Sequence, residues 1–152
     1  MAINIRTKGA NGEREVCDLL NKLLQPILTK HGISQPEKPV FQRNQNQTAV
    51  GGSDITNPFD LCIEVKRQEQ LNINTWWQQC LTASNEFGGI PILIYRQNGK
   101  RKWNVVMFGM IAVSGPDLLA TYRVSLDQAD FENWFTRYVD RYLGEHDVFK
   151  RG

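Results

Sequence analysis

The sequence predicts a single α/β domain over residues 1–152, in which helices flank a central mixed β-sheet. Three observations predict it: an amphipathic segment with apolar residues at helical spacing, alternation of apolar and polar or charged residues over 61–66, and a near-continuous apolar run over 90–96. At 152 residues the chain is long enough to bury a core. We expect the core of the domain to occupy about 6–110, followed by a C-terminal strand and helix over about 119–143.

The amphipathic segment predicts an N-terminal helix that follows Asn11 and stops near Gly32. Its apolar residues recur at intervals of three and four, and they are Val16, Leu19, Leu20, Leu23, Leu24, Ile27 and Leu28. Glu13 lies three residues before Val16, so we expect it on the buried face, where a carboxylate needs a partner or a metal. Glu15 lies off this apolar stripe, and we expect it only to favour the helix dipole.

Charged side chains converge at the strand that follows the turn signal Asn57-Pro58. Successive side chains of a strand point to opposite faces, so Glu64 and Lys66 share one face. The turn allows Asp54 to come from the adjacent hairpin arm. Two carboxylates and an ammonium group are therefore expected to meet at one point.

Such a cluster suits a hard cation. Two carboxylates a few ångströms apart cannot both ionise cheaply without one, and Mg²⁺ accepts a few carboxylate oxygens while it keeps several waters. A bound metal activates a water and stabilises charge on a phosphate, and Lys66 adds a positive charge beside it. The alternative is an exposed strand with an ordinary Glu/Lys surface pair, because a bare Glu-x-Lys is common.

Taken together, these motifs resemble the PD-(D/E)xK nuclease superfamily and, within it, the archaeal-type Holliday junction resolvases and their phage relatives. The resemblance covers about residues 6–107. The segments that carry it are Lys8-Gly9 to Glu13-Arg14, Gly51-Gly52-Ser53-Asp54-Ile55 and Ile63-Glu64-Val65-Lys66. Many relatives have proline before the metal-binding aspartate, whereas this chain has Ser53, which changes the stiffness of the turn and removes no ligand.

The resemblance implies a restriction-endonuclease-like core that uses Mg²⁺, with Mn²⁺ as a substitute, to hydrolyse DNA. The implied metal ligands are Asp54, Glu64 and the carbonyl group of Val65. Lys66 then orients the attacking water or stabilises developing charge, and Glu13 completes the acidic cluster directly or through water. Gln79 resembles a glutamine that relatives often carry on the next helix, although a solvated side chain is an equal alternative.

The resemblance also implies a substrate and an assembly. We expect a homodimer that acts on branched DNA and resolves four-way (Holliday) junctions by paired phosphodiester hydrolysis, because a junction has two-fold character. The same core serves many substrates, so a nuclease for nicked, flapped or duplex DNA remains an alternative. A non-catalytic DNA-binding module is a further alternative, and the intact Asp/Glu/Lys set argues against it.

Charge is distributed unevenly along the chain. Up to Met110 there are 13 Lys/Arg and 9 Asp/Glu, a balance of +4, and from Ile111 onward there are 5 and 7, a balance of −2. The run over 100–102 follows the turn signal Asn98-Gly99 and is equally well explained as a solvated hairpin tip. The candidate nucleic-acid contacts are Arg6, Lys8, Arg14, Arg43, Ser53, Arg67, Arg96, Lys100, Arg101 and Lys102.

Several classes of protein are excluded by what the sequence lacks. Cys17, Cys62 and Cys80 have no metal-type spacing and favour a reducing cytoplasm, that of the host if the chain is phage-encoded. His31 and His146 are isolated, which argues against a histidine-based zinc site. We expect no membrane span, and without a Gly-rich nucleotide loop we expect no nucleotide cofactor.

The remaining segments supply connections and packing. The polar loop over 45–52 either closes over DNA or is a mobile connection. A helix is expected over 74–87, and Ser125 with Gln128 resembles the capping box of a last helix over 127–143. The aromatic residues of that last helix are expected in the core, with part of them available as a dimer surface; they are Phe131, Trp134, Phe135, Tyr138 and Tyr142.

Overall fold

A computed structural model describes residues 5–45 and 53–149 of the chain. The helices of these residues are α1 (Ile5–Lys30), α2 (Ile73–Phe87) and α3 (Gln128–Glu145). The strands are β1 (Gln42–Arg43), β2 (Ile55–Thr56), β3 (Leu61–Gln68), β4 (Ile90–Gln97), β5 (Asn104–Ser114) and β6 (Leu118–Asp127). Together they form the predicted α/β architecture.

One mixed sheet organises the domain, with its strands in the order β1-β2-β3-β4-β5-β6. β3 and β4 are parallel and are joined through α2, whereas the other neighbouring pairs are antiparallel. Ile63 and Ile92 belong to the buried cluster that packs against α1 and α3. Leu93 and Tyr95 belong to the cluster beneath α2 on the opposite face. Helices therefore flank the mixed sheet on both sides, as the sequence predicts.

The end of α1 is as predicted, but its start is not. Gly32 has φ 67°, and the N–H of Ile33 donates to the carbonyl of Leu28 at 2.9 Å, which closes the helix C-terminus. The helix begins at Ile5, so Asn11 lies inside it and the predicted N-cap is wrong. Inside the helix, the Oδ1 atom of Asn11 accepts a hydrogen bond at 3.0 Å from the guanidinium of Arg14, which lies one turn later. None of the described helices is long and apolar enough to cross a membrane.

The last helix begins where the sequence predicts, but its N-terminus is capped by a different residue. Asp127 is the N-cap of α3, and its carboxylate accepts a hydrogen bond from the backbone N–H of Asp130 at 2.8 Å. Ser125 still belongs to β6, and the side chain of Gln128 accepts a bond from the backbone N–H of Trp103 at 2.9 Å. The predicted capping box is therefore wrong, because the strand continues two residues beyond Ser125.

The aromatic residues of α3 lie in or against the core, as expected. Phe131 and Phe135 are fully buried beneath the helix. Trp134, Tyr138 and Tyr142 are half-buried and pack against that cluster. The rings of Trp134 and Tyr138 stack with their centroids 5.0 Å apart. Trp134, Tyr138 and Tyr142 keep part of their surface exposed, so the use of this face in a dimer stays a prediction.

The hairpin of β5 and β6 is longer than predicted. The sequence predicts strands over 103–108 and 121–126, yet β5 runs to Ser114 and β6 starts at Leu118. The inner part of the hairpin joins the core, whereas most of its outer apolar side chains are exposed. The outer part lacks the alternation of apolar and polar residues that indicates a half-buried strand.

Candidate active site

Asp54 and Glu64 lie opposite each other where β2 meets β3. Ile55 pairs with Ile63 in antiparallel register. Asp54 precedes Ile55 and Glu64 follows Ile63, so the two carboxylates lie across from each other on one face. The N–H of Asp54 donates to the carbonyl of Ile63 at 2.9 Å, and the N–H of Val65 donates to Oδ2 of Asp54 at 2.7 Å. The backbone of β3 thus fixes the Asp54 carboxylate beside Glu64.

Both side chains are buried, with 5% of Asp54 and 6% of Glu64 exposed. Burial raises the pKa of Glu64 to about 9, and the charge of Asp54 and a hydrogen bond with it add to the increase. The ammonium group of Lys66 acts in the opposite direction and is outweighed. Without a further cation, Glu64 therefore keeps its proton at neutral pH, because a second buried negative charge beside Asp54 is too costly.

A third carboxylate, Glu13, reaches the same region from α1. Gly12 lies against β3, where an added Cβ would stand 3.4 Å from the Cβ atom of Arg67. A methyl group at this position would already be in van der Waals contact with the strand, so the helix packs closely against it. Burial raises the pKa of Glu13, a hydrogen bond from Arg43 lowers it, and the charge of Asp54 raises it. The charge of Asp54 therefore acts on Glu13, which agrees with the predicted position of Glu13 on the inner side of the helix.

Arg43 holds Glu13 in place. Its Nε atom lies 2.8 Å from Oε2 of Glu13, and only 26% of the Arg43 side chain and 16% of the Glu13 side chain are exposed. Arg43 was predicted as a phosphate contact. The structure shows its guanidinium bound to an acid of the site.

A cleft of about 580 Å³ opens beside these residues at the end of β3. It is lined by Gly9, Glu13, Asp54, Val65, Lys66, Arg67, Gln68, Glu69, Gln70 and Asn98. Lys66 is half-buried at its wall, and its charge acts on Glu64. The structure thus brings Glu13, Asp54, Glu64 and Lys66 into one region, and its cleft has room for a phosphate group.

The described acidic side chains offer few protein ligands to a metal. Within residues 5–45 and 53–149, no three Asp, Glu, His or Cys side chains come together as a complete set of metal ligands. Mg²⁺ binds through one or two carboxylates and keeps several waters. The Asp54–Glu64 pair fits that requirement, because a bound cation would remove the cost of ionising both groups.

Gln79 lies on α2, whose buried residues Trp76, Trp77 and Cys80 cover the Glu64 face of the sheet. The thiol of Cys80 approaches the carbonyl of Cys62, two residues before Glu64, at 3.8 Å. The Gln79 side chain is exposed on this helix. Its assignment to catalysis stays a prediction.

Glu15 has a role that the sequence did not reveal. Its carboxylate binds Arg67 at 3.3 Å and Arg96 at 2.6 Å, and so ties α1 to β3 and β4. The expectation that Glu15 only favours the helix dipole is therefore wrong. The Nε atoms of both arginines are buried without a hydrogen-bond partner within the described residues. Glu15 is therefore the acid that both arginines share.

Arg96 lies inside the protein. It is 8% exposed, and its guanidinium stacks over the ring of Trp103 at 4.4 Å from the centroid. Its NH1 atom donates to the carbonyl of Arg101 at 3.3 Å. The structure therefore places this predicted phosphate contact in the interior, where it supports the turn between β4 and β5.

The other candidate nucleic-acid contacts are nearer to solvent. Arg14 is exposed and Ser53 is half-buried, with the Ser53 hydroxyl donating to the carbonyl of Ile55 at 3.0 Å. Lys100, Arg101 and Lys102 are exposed at the turn between β4 and β5. The side chains of Arg6 and Lys8, and the loop over 46–52, lie outside the described residues.

The family whose model matches this chain is described as "phage putative PDDEXK endonuclease", and the match covers residues 4–143. The chain belongs to this family. Membership in the PDDEXK endonuclease family confirms the predicted relation to the PD-(D/E)xK superfamily and to phage nucleases. The family description does not name archaeal-type junction resolvases. No curated protein matches the chain.

Proposed function

We propose that this PDDEXK-family chain is an Mg²⁺-dependent endodeoxyribonuclease that acts as a homodimer and resolves four-way DNA junctions. The observation that carries the proposal is the buried Asp54–Glu64 pair, fixed on the backbone of β3 beside a cleft that Glu13 and Lys66 line. Carboxylates placed in this way suit phosphodiester hydrolysis. The family match supports the nuclease class.

Asp54 and Glu64 would hold Mg²⁺ together with the carbonyl of Val65. The N–H of Val65 points towards Asp54, and the N–H and C=O of one strand residue point to the same side, so the carbonyl is directed to the same edge. When bound, the metal supplies an activated water and stabilises charge on the phosphate. Mn²⁺ offers a similar preference for oxygen ligands and is expected to substitute.

The remaining side chains position the substrate and stabilise charge. Lys66 places an ammonium group at the cleft wall, where it attracts the phosphate and stabilises its developing negative charge. Glu13 completes the acidic region and fixes Arg43 at its rim. The exposed Arg14 and the basic turn over 100–102 are available to bind phosphates farther along the DNA.

The choice of a four-way junction rests on the resemblance of the sequence motifs to those of Holliday junction resolvases. A junction has approximate two-fold symmetry, and two copies of one site in a symmetric dimer would cut two opposed strands. The same core accommodates other DNA structures, so substrate choice needs a direct comparison.

That comparison uses labelled four-way junction, nicked duplex, flapped duplex and linear duplex, each incubated with the protein in Mg²⁺, Mn²⁺ or EDTA. We expect paired, symmetric cuts on the junction with either metal and none in EDTA. Asp54→Asn should bind the junction without cutting it, whereas Glu145→Gln, the same change at an exposed surface carboxylate, should cut normally. Equal cutting of all substrates would make the protein a general nuclease. Binding without cutting by the wild type would make it a DNA-binding module.

A further inference from the structure

The outer part of the β5–β6 hairpin, residues 108–123, forms an arm that carries most of the exposed large apolar side chains of the described residues. Its inner neighbours Met107 and Val124 still pack into the core. Beyond them, seven large apolar side chains are 44–65% exposed. These are Phe108, Met110, Ile111, Val113, Leu118, Leu119 and Tyr122. A patch of this size on a small domain indicates an interaction surface.

The charge of the arm argues for a protein partner. Its only charged residues are Asp117 in the turn and Arg123 at the base. The guanidinium of Arg123 donates to the side chain of Asn74 at 2.9 Å. Binding to a nucleic-acid backbone needs several cations, which the arm does not offer. Depletion of charge around exposed aromatic and aliphatic residues is instead typical of the centre of a protein interface.

The apolar side chains lie on both faces of the arm. Phe108 and Met110 lie on the face of the sheet that packs against α2 nearer its centre. The ring of Phe108 contacts that of Trp77 on α2 edge-on, with 5.2 Å between the centroids. Ile111 lies on the opposite face, and so does Tyr122, which pairs with Gly109. A partner that covered one face would leave the other in water. A strand added beside the arm places side chains next to both faces.

The edge that such a strand requires is present. Within the described residues β6 has a single neighbour, β5, and stands at the end of the sheet. It is ten residues long, and its outward backbone groups form a template for another strand. A long edge strand with apolar side chains on both faces is the arrangement that pairs most readily.

We propose that β6 pairs edge to edge with β6 of a second copy, antiparallel about a two-fold axis. A second copy is the partner that fits, because an antiparallel strand pair about a two-fold axis uses the same edge from both chains. The three exposed apolar side chains that β6 itself carries, Leu118, Leu119 and Tyr122, would lie beside those of the second copy, and the part of β6 between Leu118 and Tyr122 has no charges that would repel each other. The proposal names the surface of the dimer and does not depend on which DNA the protein cuts.

The first test measures the mass of the full-length protein by sedimentation velocity at about 1–100 μM. The wild type should be a dimer in this range. Met110→Lys with Leu119→Lys places like charges at the interface and should weaken dimerisation on the order of 100-fold or more. Phe87→Lys is the matched control, because Phe87 is 50% exposed and lies outside the arm. It should remain a dimer, and circular dichroism should show the same fold for all three.

A second variant tests the pairing without disturbing the apolar surface. Thr121→Cys lies near the middle of β6 and is exposed, whereas the three native cysteines are buried. Under mild oxidation this variant should form a disulfide-linked dimer that the wild type does not form. A wild type that stays monomeric at 100 μM would overturn the proposal. So would a double-lysine variant that stays dimeric.

The same variants also test whether the arm binds a membrane or DNA instead of a second copy. A monomeric wild type that co-sediments with lipid vesicles, and loses this through the double-lysine change, would assign the arm to a membrane and overturn the proposal. A monomer whose junction binding falls more than tenfold with the change would assign the arm to DNA, with the same consequence. Nuclease activity is assayed separately on linear and branched DNA, so a failure of the proposed function is distinguishable from a failure of the dimer.

Discussion

Glu64 should destabilise the metal-free protein as the pH rises, and Glu64→Gln should remove that effect. The pKa of Glu64 rises from an ordinary value of 4.5 to about 9 in the folded protein. The folded chain therefore keeps a proton that the unfolded chain releases. Its stability contribution is complete below pH 4.5, decreases as the pH rises and is lost at about pH 9. At 1.36 kcal/mol for each pKa unit, the decrease between pH 4.5 and 7 is about 3 kcal/mol.

Glutamine has nearly the same shape and no charge to lose, so at pH 7 in EDTA Glu64→Gln should be more stable than the wild type by about 1–3 kcal/mol. Urea unfolding measured from pH 5 to 9 in EDTA checks this. The difference between the two proteins should grow with pH, and Mg²⁺ should reduce it by binding the wild type alone. Glu145→Gln, an exposed control, should follow the wild type.

Glu64→Gln should lose cleavage although it is more stable than the wild type. The carboxylate that cleavage requires would then be the one that destabilises the metal-free protein. A difference in unfolding free energy that stayed constant between pH 5 and 9 would refute the reasoning. So would a glutamine variant less stable than the wild type at pH 8. Either result would mean that the Glu64 carboxylate is ionised in the folded protein without a metal.

Three further changes test the neighbouring residues. Asp54→Asn should abolish cleavage and leave the fold and junction affinity unchanged, as gel-shift and circular dichroism measurements can show. Lys66→Ala should lower the single-turnover rate on the order of 10²–10³ and leave affinity nearly constant, and equal losses would make it an ordinary phosphate contact. Glu15→Gln should destabilise the fold by about 1–3 kcal/mol in urea, because it leaves the buried Arg96 guanidinium without its acid. The matched change at the exposed Glu145 should cost less than about 1 kcal/mol.

The geometry of β3 could be predicted because it follows from local rules. Alternation assigns Glu64 and Lys66 to one face and Val65 to the other, and the sheet has this arrangement. The turn before β3 returns the chain so that Asp54 pairs beside it. These relations depend on residues within about ten positions of one another, where the backbone leaves few choices.

The arginine contacts could not be predicted, because they join distant parts of the chain. Glu13 and Arg43 are 30 positions apart, and Glu15 and Arg67 are 52 apart. Periodicity on α1 correctly places Glu13 on the inner side. It gives no information on which strand passes below Glu15, so this acid outside the apolar stripe was expected only to favour the helix dipole. The packing of α1 across β3 and β4 decides that point.

The ion pairs around the cleft explain where a cation is most strongly required. Two of the acids of α1 are matched by arginines, Glu13 by Arg43 and Glu15 by Arg67 and Arg96. At the Asp54–Glu64 pair the charge of Lys66 is outweighed by burial, so the pKa of Glu64 stays high. We therefore expect a divalent cation to be stabilised most at this pair.

In the proposed dimer, the cleavage site and the dimer interface lie on different strands of the sheet. Asp54 and Glu64 belong to the β2–β3 side, whereas the arm lies at the β6 edge. Pairing of the two β6 strands would separate the two copies of β3 by seven inter-strand spacings of about 4.8 Å, or roughly 34 Å. That distance is close to one turn of duplex DNA. Each site also takes its acids from one chain, so loss of the arm contact should abolish the paired second cut and leave single-strand nicking.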